Sequence, residues 1–91
     1  MPYIKMEDRG QYDNSIEDIV VHLERLEEND MSGHLNYIIF TIIKRYLAKK
    51  GLRYFRLNDI LGTLECVKQE VYRTILSDYE NSARDKNGDI K

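Results

Sequence analysis

The chain is poor in the residues that build covalently braced and catalytic proteins. It has a single cysteine, Cys66, so no internal disulfide can form and a disulfide-stapled scaffold is excluded. Two histidines, His22 and His34, and that one cysteine are scattered over 91 residues, which rules out a His/Cys zinc centre within one chain. No apolar run approaches the roughly 20 residues that span a bilayer. The first residues also lack the apolar segment of a secretory signal. The expectation is a cytoplasmic protein in a reducing compartment, with no membrane partner. Neither a Walker pattern nor GxGxxG is present, so no glycine-rich loop cradles a phosphate. Pro2 is the only proline, and the five glycines mostly mark breaks in the hydrophobic pattern.

What remains is a mixture that folds. Hydrophobic residues make up 42% and charged residues 33%, which argues against general disorder. At this length there is room for one small domain and no second core. The charge is unevenly spread. Residues 1–40 hold nine acids and three bases, a balance of −6, whereas Lys44, Arg45, Lys49, Lys50, Arg53 and Arg56 give residues 41–58 a balance of +6. The net charge of −2 makes duplex nucleic acid a poor partner. The dipolar layout suits an anion site or a self-complementary assembly.

The hydrophobic period predicts an all-α fold, a small three-helix domain over 14–80 with an N-terminal arm (1–13) and a polar C-terminal tail (81–91). Asn14 with Glu17 three positions on reads as a capping box, and Ile16, Ile19, Val20, Leu23 and Leu26 recur at helical spacing. Tyr3, Ile4, Met6 and Tyr12 are apolar enough for the arm to lie on the domain, and MEDR could form one turn. Asn29–Gly33 reads as the break before a second helix from about His34 to Lys50, ended by Gly51. A third helix is expected from a cap near Asn58 to about Tyr79, roughly 33 Å at 1.5 Å per residue.

The widths of the apolar faces carry the functional expectation. With Phe40 and Asn36 included, the second helix has an apolar arc of about 200°, and the third has about 180°. A single narrow first helix does not cover both. Self-association is the economical solution, with Asn36, Ile39, Phe40, Ile43, Leu64 and Gly62 as candidate interface residues. A monomer whose arm covers the excess is the alternative.

Lys68 lies within the third helix's apolar arc, among Leu61, Leu64, Tyr72 and Ile75, and reads as a snorkelling stem, as a salt-bridge partner of Glu65, or as an anion-binding or inter-subunit ammonium. The basic cluster 44–56, with Arg53 and Arg56 and interleaved with Tyr46, Tyr54 and Phe55, could hold a nucleotide or a single strand by ion pairing and stacking, or merely complement the helix dipole or meet the acidic first helix. Asn36 is either a structural amide or a ligand contact. Gly62 and Cys66, four apart on the opposite face, suit a close helix contact. No catalytic constellation is present: acids such as Glu17 and Asp18 read as solvated faces, and Cys66 has no activating neighbour in the pattern. No cofactor or metal is implied, and an enzyme is not expected.

The blocks MPYIK, EDR and YD at the start, GHLNYII at 33–39, YF and ILGTLECVKQEVYR within 54–73, YE at 79–80 and NGDI near the end are distinctive in order. Together they resemble a family of small uncharacterised proteins of bacteria and their phages, a domain of unknown function. In that family the block at 33–37 usually reads Gly-Asp-Leu-Asn-Tyr, and here His34 replaces the acid. The resemblance implies a bacterial or phage, cytoplasmic protein and assigns no activity to any residue. The expected function is a non-catalytic binding protein that self-associates through its second and third helices, with a host protein as a further partner. The alternative is sequestration of an anionic nucleotide between subunits by Lys68, Arg53, Arg56, Tyr54 and Tyr72.

Overall fold

The structure is a computed structural model that describes residues 4–88 and residue 90. Tyr3 of the expected arm and Asp89 of the tail lie outside the described residues. Every regular element among the described residues is helical: α1 (Met6–Glu24), α2 (Glu28–Lys50) and a long third helix. The third consists of α3 (Tyr54–Glu70), a π segment (Val71–Leu76) and α4 (Ser77–Asn87). Its backbone is right-handed helical at every junction, with φ/ψ of −61°/−44° at Val71 and −61°/−43° at Ser77.

The helix types agree with the hydrophobic period, but the boundaries differ. The expected start near Asn14 is replaced by a start at Met6, with extended Lys5 before it. The Asp8 amide donates to the Lys5 carbonyl at 2.9 Å, and Arg9 donates twice to the Ile4 carbonyl. Glu7 and Asp8 in the first turn oppose the positive end of the helix dipole. These contacts, with continued backbone bonding, outweigh the roughly 1 kcal/mol that Gly10 costs inside a helix.

The break between α1 and α2 falls at Arg25–Glu27, ahead of the expected Asn29–Gly33, which forms the first turns of α2. Glu28 and Asp30 favour that N-terminus electrostatically. Likewise the third helix starts at Tyr54 rather than near Asn58, and runs on to Asn87 through most of the expected tail. Gly51 ends α2 as anticipated. Its φ of 99° and ψ of 149° lie in a region almost closed to other residues, and its amide donates to the Leu47 carbonyl at 2.8 Å.

The chain divides into two compact units, one ending at Leu52 and one beginning at Arg53. In the first, α1 touches α2, and the half-buried side chains of α1 (Ile19, Val21 and Leu23) all lie in its last turns, followed by Leu26 in the link. From Ile4 to Asp18 every residue is exposed. Ile4, Met6 and Tyr12 of the expected arm are all at least half exposed. The second unit is the third helix with its flanking residues.

Candidate interaction surface

A helix of this composition hides its apolar face only against a neighbour, and neither unit supplies enough of one. No described residue is buried. Along α2, Leu35, Tyr37, Ile39, Phe40, Ile42 and Tyr46 are exposed, while Ile38, Thr41, Ile43 and Leu47 are half-buried. Along the third helix, Leu61, Leu64, Val67, Val71, Tyr72, Ile75 and Tyr79 are exposed.

On α2 the exposed face forms an open trough of about 520 Å³ lined by Tyr37, Phe40, Thr41, Lys44, Arg45 and Ala48. Successive spacings of three and one keep these residues on one side of the helix. The Lys44 ammonium stands 5.7 Å from the Phe40 ring centre, close enough for a cation–π contact. This face is amphipathic at its C-terminal end and apolar toward Tyr37. Of the candidate interface residues, Ile39 and Phe40 are exposed, Ile43 is half-buried and Asn36 is exposed. Sequence reading missed Tyr37 and Ala48 as its neighbours, although their spacing from Phe40, Thr41 and Lys44 carried the signal.

The candidate ligand residues separate into two groups. Arg53, at the N-cap of α3, and Arg56 both approach the Phe55 ring, at 5.6 and 5.0 Å. Tyr54 beside them is 79% exposed. Lys68 instead pairs with Glu65 at 3.7 Å, and both side chains are well exposed. Arg56 and Lys68 stand twelve positions apart on continuous α3, or about 18 Å along the axis. The five residues therefore do not converge within one third helix. Tyr72 lies one turn beyond Lys68, at the start of the π segment.

Within that segment the Thr74 hydroxyl donates to the Glu70 carbonyl at 2.7 Å, and the Ser77 hydroxyl donates to the Tyr72 carbonyl at 2.8 Å. Arg73 pairs with Glu70 across one turn. The widened turn frees carbonyls from their usual i+4 partners, and the two hydroxyls satisfy carbonyls there. Nothing lies within 4 Å of a Cβ built at Gly62, so its face is open to a close neighbour. Cys66 is exposed and in no disulfide, and His22 and His34 are exposed on α1 and α2.

No helix among the described residues is long and apolar enough to cross a membrane, and no three or more His, Cys, Asp or Glu side chains there gather as a metal site would need. No curated protein and no solved structure matches the chain. A family model described as Domain of unknown function (DUF6899) matches residues 1–90, and the chain therefore belongs to that family, an uncharacterised one as its sequence blocks implied.

Proposed function

We propose that this is a non-catalytic helical interaction protein that completes its hydrophobic core by self-association through α2 and the third helix. The observation that carries the reading is the absence of any buried residue among the described ones, beside long apolar faces on both helices. Exposed apolar faces of this length on two helices suit the larger, obligate class of interface. The acidic segment 1–40 and the basic segment 41–58 are complementary between copies. A further, host-derived protein partner would use whatever face the assembly leaves open. The exposed, unpaired Cys66 fits a reducing cytoplasm, and the resemblance favours a bacterial or phage source.

Sedimentation equilibrium of the full chain tests the reading. The expected mass is a multiple of 10.8 kDa, with Ile39→Asp giving smaller or unfolded species. A folded 10.8 kDa monomer at every concentration would overturn it.

One observation favours a second reading, sequestration of an anionic nucleotide. Arg53 and Arg56 flank Phe55 next to an exposed Tyr54, which combines cations with stacking rings at one helix start. Lys68 would join such a site only from another subunit. A thermal shift with a nucleotide, lost in Arg56→Ala, is the expected sign.

A further inference from the structure

The π segment sits where the apolar stripe of the third helix changes phase. At 100° per residue, Ile60, Leu64, Val67 and Val71 fall within about 60° of arc. Continued as an unbroken α-helix, Leu76, Tyr79 and Ala83 would lie roughly 120° around the axis from them. One extra residue in a widened turn sets everything after it back by about 100°. The observed π segment, Val71–Leu76, lies between the two groups and brings them to within roughly 20° of each other. The result is one straight stripe from Ile60 to Ala83. Leu64, Val67, Val71 and Tyr79 on it are exposed, Ile60, Leu76 and Ala83 are half-buried, and exposed Tyr72, next to Val71, flanks it.

The stripe also reads the same from both ends. Backward from Val71 the steps are four, three and four, to Val67, Leu64 and Ile60. Forward from Tyr72 they are four, three and four, to Leu76, Tyr79 and Ala83. A two-fold axis between positions 71 and 72 therefore superposes the pattern on itself. That axis sets Ile60 level with Ala83 of a second copy, Leu64 with Tyr79 and Val67 with Leu76, so larger side chains meet smaller ones at the ends. A self-complementary patch of this kind is what an isologous interface requires. Charge selects the direction. Parallel copies would bring every charged residue level with its own copy, whereas antiparallel copies bring Asp59 level with Arg84 and Glu70 with Arg73, against one like pair, Glu65 with Asp78, and oppose the helix dipoles. Lys68, paired with Glu65, lies at the stripe's edge, where its stem adds apolar cover.

We infer that the occupant of this stripe is the third helix of a second copy, docked antiparallel about an axis at Val71/Tyr72, and that the π segment exists to align the stripe for it. The inference rests on the proposed self-association and specifies its geometry. Its test uses full-length chains in a Cys66→Ser background, each with one added cysteine. Mixed Ile60→Cys and Ala83→Cys chains should form a disulfide-linked dimer on mild oxidation, while neither alone should do so. Val71→Cys alone should cross-link with itself, and wild-type Cys66, on the opposite face, should not. Deletion of Thr74, which restores an unbroken helix, should weaken the dimer at least tenfold while circular dichroism keeps its helical signal. Self-linking of Ile60→Cys would mean a parallel pair and overturn the inference. Absence of all the links in a sample that sediments as an oligomer would overturn it too, leaving the self-association reading intact. A folded monomer by sedimentation would refute both.

Discussion

If the core forms between chains, the stability of the protein must depend on its concentration, and the size of the effect can be worked out. For a dimer that melts to two unfolded chains, each tenfold dilution removes RT ln 10, about 1.4 kcal/mol per dimer. Two chains of 91 residues make an assembly of about 180 residues, for which 1 kcal/mol shifts the melting temperature by about 2–4 °C. A hundredfold dilution, about 2.7 kcal/mol, should therefore lower Tm by about 5–11 °C. Circular dichroism at a helix wavelength, in cells of different path length, follows the melt from high to low micromolar chain. The lowest concentrations should also show a broader loss of helix, because α1 and α2 without a buried face rest on marginal helix propensity. A sharp transition with the same midpoint across the whole range would refute the reasoning. It would show that the exposed side chains of α2 and the third helix find their cover within one chain.

Other consequences are local. Gly51→Ala forces a side chain into a backbone conformation of φ 99° and ψ 149° and should destabilise by about 1–3 kcal/mol in urea unfolding. Gly33→Ala, inside α2 with nothing within 4 Å of the new Cβ, should instead stabilise by about 0.5–1 kcal/mol. Lys68→Ala removes an ion pair whose two side chains are 60% and 58% exposed, so its own loss should cost under about 0.5 kcal/mol. A larger fall in the melting midpoint would show that Lys68 is held by more than Glu65. A panel of mono-, di- and cyclic nucleotides should leave Tm unchanged if Arg53, Arg56 and Phe55 serve only local surface contacts, whereas a reproducible rise would support sequestration.

The sequence carried the helical character of all three segments, the stop at Gly51 and the excess of apolar face, because each follows from a period or from a backbone requirement of one residue. It did not carry the helix starts. Asn14 and Asn58 look like caps, yet both lie inside helices. A side-chain cap is worth only about 1 kcal/mol and yields when upstream residues can extend the ladder. The observed N-cap positions, Lys5, Glu27 and Arg53, have extended backbone and no side-chain cap bond, so nothing in their chemistry announces them. The break at Arg25–Glu27 contains neither glycine nor proline. Among the candidate ligand residues, Lys68 was legible as a partner of Glu65 from its spacing alone, and α3 then fixed its distance from Arg56. The π segment had a trace in the sequence, the adjacent pair Val71–Tyr72 followed by a stripe out of phase with the one before it. A reading that assumed 100° per residue throughout spread this slip into a broad arc of 180°, where two narrow arcs and a correction between them describe it better.

The two apolar surfaces together constrain the stoichiometry. A two-fold pairing through the third helix uses the stripe from Ile60 to Ala83 once per chain and closes on itself. If copies of the chain also cover the exposed face of α2, around Ile39, Phe40 and the Tyr37 trough, two arrangements are the simplest. Either it folds into the same dimer interface, and the assembly has two chains, or it forms a second interface, and dimers pair into a tetramer. Both contain two-fold axes, so the proposed pairing requires an even number of chains. Native mass spectrometry decides between them. Twice 10.8 kDa means that both helices share one interface, and Phe40→Asp should then dissociate the protein outright. Four times that mass means separate interfaces, and the same substitution should halve the assembly while leaving the third-helix pair intact. A trimer or pentamer admits no two-fold axis between all its chains and would exclude the antiparallel pairing.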